Sequence, residues 1–213
     1  GNAILYSGAS PHFVDCDLEN FLIDLEKLEN YLNRQTFILN SKCYNINTKK
    51  QIKAIIPVHL FGHPLNMKRL IKIAKKFHLM IIEDSAEAIG SFYDKKHVGT
   101  FGKIGILSFN GNKTITTGGG GVILTSNYKL ALKIKHLSTT AKIKHKWKSE
   151  HDYIGYNYRM PNINAALGLS QLKKLNKIIL NKRKLYKKYK DNFKSISFIK
   201  LIAEPKLAKS NYW

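Results

Sequence analysis

The chain has 213 residues, 44% of them hydrophobic, enough for one large domain with a sizeable core or a domain with an appendage. No stretch approaches the roughly 18 apolar residues of a membrane-spanning helix, and no signal peptide is read at its start. The formal net charge of +22 is carried almost wholly by lysine, since arginine stands only at Arg34, Arg69, Arg159 and Arg183. Readers of nucleic acid rely on the arginine fork, so the excess reads as a solvated lysine surface that favours anionic substrates. Cys16 and Cys43 form neither a disulfide framework nor a metal spacing, and free thiols in a reducing cytoplasm are expected.

In chain order, residues 12–17 read as a short strand. Asp24 is placed to cap a helix with Leu25, Leu28, Tyr31 and Leu32 on one face. Residues 53–58 read as a strand with Pro57 near its end. A helix from Pro64 follows, with Leu70, Ile71, Ala74 and Phe77 as its apolar side. Residues 79–83 are apolar on both faces, as buried parallel strands are. Two short strands are expected at 104–109 and 121–125, a helix over 127–137, and a helical pattern from Pro161 to 180. That last pattern carries an apolar stripe of Ile163, Ala166, Leu167, Leu169, Leu172 and Leu175. Strands alternating with helices predict an α/β fold, a mainly parallel sheet with helices on both faces. Near residue 172 the composition turns lysine-dense, which divides the chain into residues 1–171 and an appended 172–213.

Two stretches carry chemistry. Asp84 leaves the end of the apolar strand in Ile81-Ile82-Glu83-Asp84-Ser85-Ala86-Glu87. In open α/β sheets, ligands sit beyond the carboxyl ends of the strands. A carboxylate there can keep a pyridine nitrogen protonated by a charge-assisted hydrogen bond; a helix cap or a surface ion pair is the plainer alternative. The second stretch is Ser108-Phe109-Asn110-Gly111-Asn112-Lys113, followed by Gly118 to Gly121. A lysine beyond a strand end suits attack on an aldehyde, and a serine at that end suits a phosphate oxygen. An acid and a lysine at two strand ends are what a pyridoxal phosphate site needs.

The order of these stretches, continued by Gly155-Tyr156-Asn157-Tyr158-Arg159-Met160 and Asn162-Ile163-Asn164-Ala165-Ala166-Leu167-Gly168, resembles the DegT/DnrJ/EryC1/StrS sugar-nucleotide aminotransferases. Within that family it is most similar to the subgroup making 4-amino sugars for nonulosonic acids such as legionaminic acid. The resemblance implies a fold-type I pyridoxal 5'-phosphate transferase and a homodimer with sites at the subunit interface. It implies Lys113 as the Schiff-base lysine and proton carrier, Asp84 on the pyridine nitrogen, and Ser108 on the phosphate. Asn157 would reach the phosphate of the partner subunit's cofactor, and Glu87 would lie near the ring. His59 is open between ligand contact and none, and Arg159 between a substrate anion and a structural ion pair. The implied substrates are an amino-acid donor, glutamate, and a 4-keto nucleotide-linked sugar; neither nucleic acid nor membrane is implied as a partner. Relatives carry a Gly-Thr phosphate turn and a ring-stacking aromatic upstream of residues 2–6. The large domain is therefore expected to be incomplete at its N-terminus, and the small domain cut short. A catalytically incompetent fragment serving as a structural partner, and a basic polyanion binder, are the alternatives.

Overall fold

The computed structural model describes residues 1–213. It opens with a short helix, α1 (Asn2–Tyr6), and an irregular stretch leading to α2 (Leu25–Gln35). The strand expected over 12–17 reduces to a single bridge between Cys16 and Ile23. There the Asp17 carboxylate accepts the N–H groups of Glu19 and Asn20 and folds the chain into a turn instead. α2 begins where Asp24 accepts from the N–H groups of Glu26 and Lys27, and it buries Leu25, Leu28 and Leu32.

A small antiparallel meander of β1 (Thr36–Leu39), β2 (Lys42–Asn45) and β3 (Gln51–Ile52) follows. The main sheet starts at β4 (Ala54–Ile55), shorter than the expected 53–58 because Pro57 has no N–H to donate. Val58 still pairs with Asp84 as an isolated bridge. α3 (Met67–Lys76), capped by Asn66, leads into β5 (Met80–Asp84). A hairpin of β6 (Phe92–Tyr93) and β7 (Lys96–His97) precedes β8 (Ile104–Ser108) and β9 (Gly121–Leu124). The main sheet has the order β4-β5-β8-β9, parallel except for antiparallel β9.

One face of this sheet holds the core. Ile55, Ile81 and the buried side of α2 and α3 form one cluster, with Met67 and Leu70 fully enclosed. Leu107, Phe109 and Ile115 form a second cluster beside it. The other face bears Ile56, Val58, Met80, Ile106 and Ile123, all between 38% and 50% exposed, so no helix of the chain buries it.

α4 (Tyr128–Ser138) has no buried residue. The helical pattern over 161–180 divides into α5 (Asn162–Leu172) and α6 (Leu175–Asn192). The chain turns at Lys173–Lys174 so that Leu175 and Ile178 pack on the Leu107 cluster and Ile179 is buried against Gly90. The apolar stripe expected on α5 lies on the surface: Ile163 is 81% exposed and Gly168 is its one buried residue. Periodicity identifies a face that seeks cover, and within this chain nothing covers it. β10 (Ala208–Lys209) then pairs with β6, which brings the last residues back to the sheet.

Candidate active site

Asp84 ends β5. Its N–H donates to the Pro57 carbonyl and its own carbonyl accepts from the His59 N–H, each at 2.9 Å. These bonds fix the strand end. The register pairs Asp84 with Ile106 on β8, so Ser108 lies one step further along the same open face. Asp84 Oδ1 accepts from the Ala86 N–H at 3.1 Å, and no donor of the chain reaches Oδ2. Ser108 Oγ accepts from the Asn110 N–H at 3.3 Å, which leaves its own proton free to donate.

Lys113 sits in the loop between β8 and β9. That loop is closed at its base by Phe109 N–H to Gly120 O and by Thr117 N–H to Phe109 O. Gly118 and Gly120 take φ of 81° and 91°, the left-handed backbone that returns the chain into β9. The lysine points inward, with only 14% of its side chain exposed, and its Nζ lies 3.5 Å from Glu87 Oε1. Glu87 Oε2 accepts from the Phe61 N–H at 2.8 Å. Glu87 therefore faces the amine directly. The Asp84 carboxylate and the Ser108 hydroxyl stand at neighbouring strand ends on the uncovered face, and the Lys113 amine lies in the loop that follows β8.

Beneath them lies a brace that sequence reasoning missed. Glu83 is fully buried and accepts from His59 Nε2 (3.2 Å) and from the N–H groups of Gly99 (2.7 Å), Phe101 (2.7 Å) and Gly102 (2.6 Å). Burial pushes its carboxyl up, but these hydrogen bonds together hold it below the usual carboxylate range. His59, with Nδ1 accepting from the Leu65 N–H, is itself fully buried. It is occupied as a structural partner of Glu83 and does not face the open site. Alternation along β5 sends Glu83 to the covered face and Asp84 to the open one, which separates two adjacent acids into two roles.

The C-terminal residues also enter the site. Asn211 is fully buried and donates to the carbonyls of Glu87 (2.7 Å) and Ile89 (2.9 Å). The Trp213 ring lies 4.6 Å from Lys113 Nζ. Nothing in local sequence pattern signalled either residue. Asn157 is exposed and bridges Thr139 through its backbone, away from any contact with Lys113. Arg159 is exposed and makes no ion pair within the chain.

The fold is that of an α/β protein with a mainly parallel sheet, and the whole sequence places it more narrowly: residues 1–213 match the DegT/DnrJ/EryC1/StrS aminotransferase family, and the chain belongs to it. Among its relatives, GDP-perosamine synthase of Escherichia coli O157:H7 is 41% identical over all of this chain and 53% of its own length. GDP-perosamine synthase of Caulobacter vibrioides is 38% identical over 82% of this chain and 42% of its own length. The solved structure of Helicobacter pylori PseC, an aminotransferase involved in the biosynthesis of pseudoaminic acid, superposes with a TM-score of 0.86 at 30% identity. That match covers all of this chain and 53% of the other. The chain spans about half the length of the relatives it matches.

Proposed function

We propose that this chain is the cofactor-binding part of a pyridoxal 5'-phosphate-dependent sugar-nucleotide aminotransferase. Its substrates are an amino-acid donor, glutamate, and a 4-keto nucleotide-linked sugar destined for surface polysaccharide or nonulosonic acid. What supports this reading is that Asp84 and Ser108 share one face at the ends of adjacent β5 and β8, with Lys113 inward in the loop that follows β8, in a chain of this family. The side chains fit the cofactor chemically: Asp84 has a free carboxylate oxygen for a protonated ring nitrogen, Ser108 a free proton for a phosphate oxygen, and Lys113 an inward amine.

When bound, the cofactor supplies an electron sink that makes the substrate's C–H bond acidic. Asp84 would hold the ring nitrogen and keep it protonated by a charge-assisted hydrogen bond. Ser108 would donate to the phosphate. Lys113 Nζ would carry the proton to and from the substrate carbon, and Glu87 keeps that amine near one place. Asn157, being exposed, is available to a neighbouring subunit, and the uncovered apolar residues of α4 and α5 support a homodimer. The division into a large domain, 1–171, and the start of a small one, 172–213, belongs to the same reading. So does a cytoplasmic setting, with both cysteines free and no helix long and apolar enough to cross a membrane.

The test is the absorbance of the imine band on adding pyridoxal 5'-phosphate. The band is expected in the protein and absent in Lys113→Ala with its circular dichroism unchanged. A band that persists without Lys113 would refute the assignment.

A further inference from the structure

Lys113 Nζ has two neighbours of opposite kind. One is the Glu87 carboxylate, at 3.5 Å, the outer limit of a hydrogen bond. The other is the face of the Trp213 indole, 4.6 Å from the amine, within the range of a cation–π attraction. We propose that Trp213 is a positioning residue for the Lys113 amine, seated there by Asn211 and by the left-handed backbone at Phe61–Gly62. The proposal rests on Lys113 being the proton carrier described above.

Trp213 is fixed at both ends. Its main-chain N–H faces the Phe61 carbonyl (3.2 Å) and Asn211 Oδ1 (3.0 Å). Its indole N–H donates to the Asn112 carbonyl at 3.2 Å, on the residue next to Lys113. The ring is thus tied to the same turn that carries the amine. Phe61 serves both neighbours of the lysine, because its N–H binds Glu87 and its carbonyl binds Trp213. It does so at φ 55° and ψ 21°, a conformation unfavourable for a bulky residue and typical of backbone held by a functional site.

Asn211 is the anchor. It has no exposed surface, and its amide donates to two carbonyls and lies 3.3 Å from Thr114 Oγ1, while its N–H donates to Ser91 Oγ at 2.9 Å. Gly62 makes room for it: a Cβ there would lie 1.7 Å from Asn211 Oδ1. Outside, Arg183 on α6 grips Glu204 through both guanidinium nitrogens (2.7 and 3.0 Å) and also donates to the Ser210 carbonyl (2.7 Å). The path from α6 to the amine is continuous through residues 210–213. A lysine side chain is flexible, and a proton carrier must return to one spot between transfers. An aromatic face on one side and a carboxylate on the other restrict the amine to that spot.

The chain has two tryptophans, and Trp147 is 84% exposed on a remote loop. In the Trp147→Phe protein, Trp213 is the sole indole. Without cofactor, adding Lys113→Met should change its emission, because the cation leaves the ring face. Unchanged emission would overturn the proposal. In turnover, Trp213→Ala should lower kcat about tenfold with donor KM within about twofold, as loss of one desolvated cation–π contact predicts. Trp213→Phe, which keeps an aromatic face, should recover most of that rate. An unchanged kcat in the alanine variant, or a phenylalanine variant no better than alanine, would also overturn it. Failure of the unmodified protein to form an imine with pyridoxal 5'-phosphate refutes the reading of this chain as the cofactor-binding part instead, and the emission arm still decides the contact.

Discussion

Replacing Glu83 by alanine removes the acceptor for three backbone N–H groups and for His59 Nε2. Two of these donors, on Gly99 and His59, are fully enclosed, and the other two lie where water has partial access. An enclosed donor left without a partner costs about 1–3 kcal/mol, so the pair alone accounts for about 4 kcal/mol. That agrees with the roughly 3–5 kcal/mol lost when one side of a buried ionic network is removed. In a chain of this size, about 4 kcal/mol corresponds to a fall of about 8–16 °C in Tm. Glu83→Gln keeps one acceptor but aims an NH2 at donors, and it should lose about half as much. Urea unfolding followed by circular dichroism measures both. His59→Ala and the double variant complete a cycle, in which the two losses should be less than additive because the residues share one bond. A loss below about 1 kcal/mol for Glu83→Ala, or strict additivity with His59→Ala, would refute the brace. The same carboxyl sets an acid limit. Its folded-state pKa lies below the ordinary value of 4.5, so its contribution is complete above about pH 4.5 and is lost as pH falls through the folded value. In Glu83→Gln that part of the acid transition should vanish.

Other outcomes follow from the same contacts. Gly62→Ala should evict Asn211, costing about 2 kcal/mol, since a Cβ there collides with Oδ1 and the φ of 74° disfavours alanine; acrylamide quenching of Trp213 should rise with it. Asp84→Ala should keep the fold and weaken pyridoxal 5'-phosphate affinity about tenfold or more, the worth of one charge-assisted hydrogen bond, as read by titrating the imine band. His63, whose Nδ1 lies 2.7 Å from Ser210 Oγ, is held below its ordinary pKa of 6.5 by burial, against an opposing pull from Glu204. Its neutral form is the folded one, so stability should decline as pH drops below about 6.5, and His63→Gln should flatten that limb in urea midpoints taken across the range.

The positions of the candidate site residues were legible from residue order. Asp84 and Ser108 are announced by their place at the end of an apolar run, because a strand's carboxyl end delivers side chains to the edge where ligands bind, and Lys113 by the loop that follows. Glu83 was not, since an acid within a buried strand looks like its neighbour until the pleat assigns the two to opposite faces. His59 shared that uncertainty, and only its enclosure beside Glu83 resolves it. The stripe on α5 was visible as apolar periodicity, but its exposure depends on what else packs nearby, which no local pattern encodes.

By itself the sequence determined the α/β class, the cap at Asp24, and the positions of Asp84 and Ser108 at the ends of two strands, with Lys113 in the loop after the second. All of these depend on residues close together in the chain, through hydrogen bonds and periodicities of one or two turns. Tertiary structure alone decided that Glu87 faces the Lys113 amine, that His59 serves Glu83, and that Asn211 and Trp213 close the site. Those contacts join residues dozens to more than a hundred positions apart. Their energy comes from buried polar groups that must find partners wherever the fold brings them, so only the folded chain shows which partners they take.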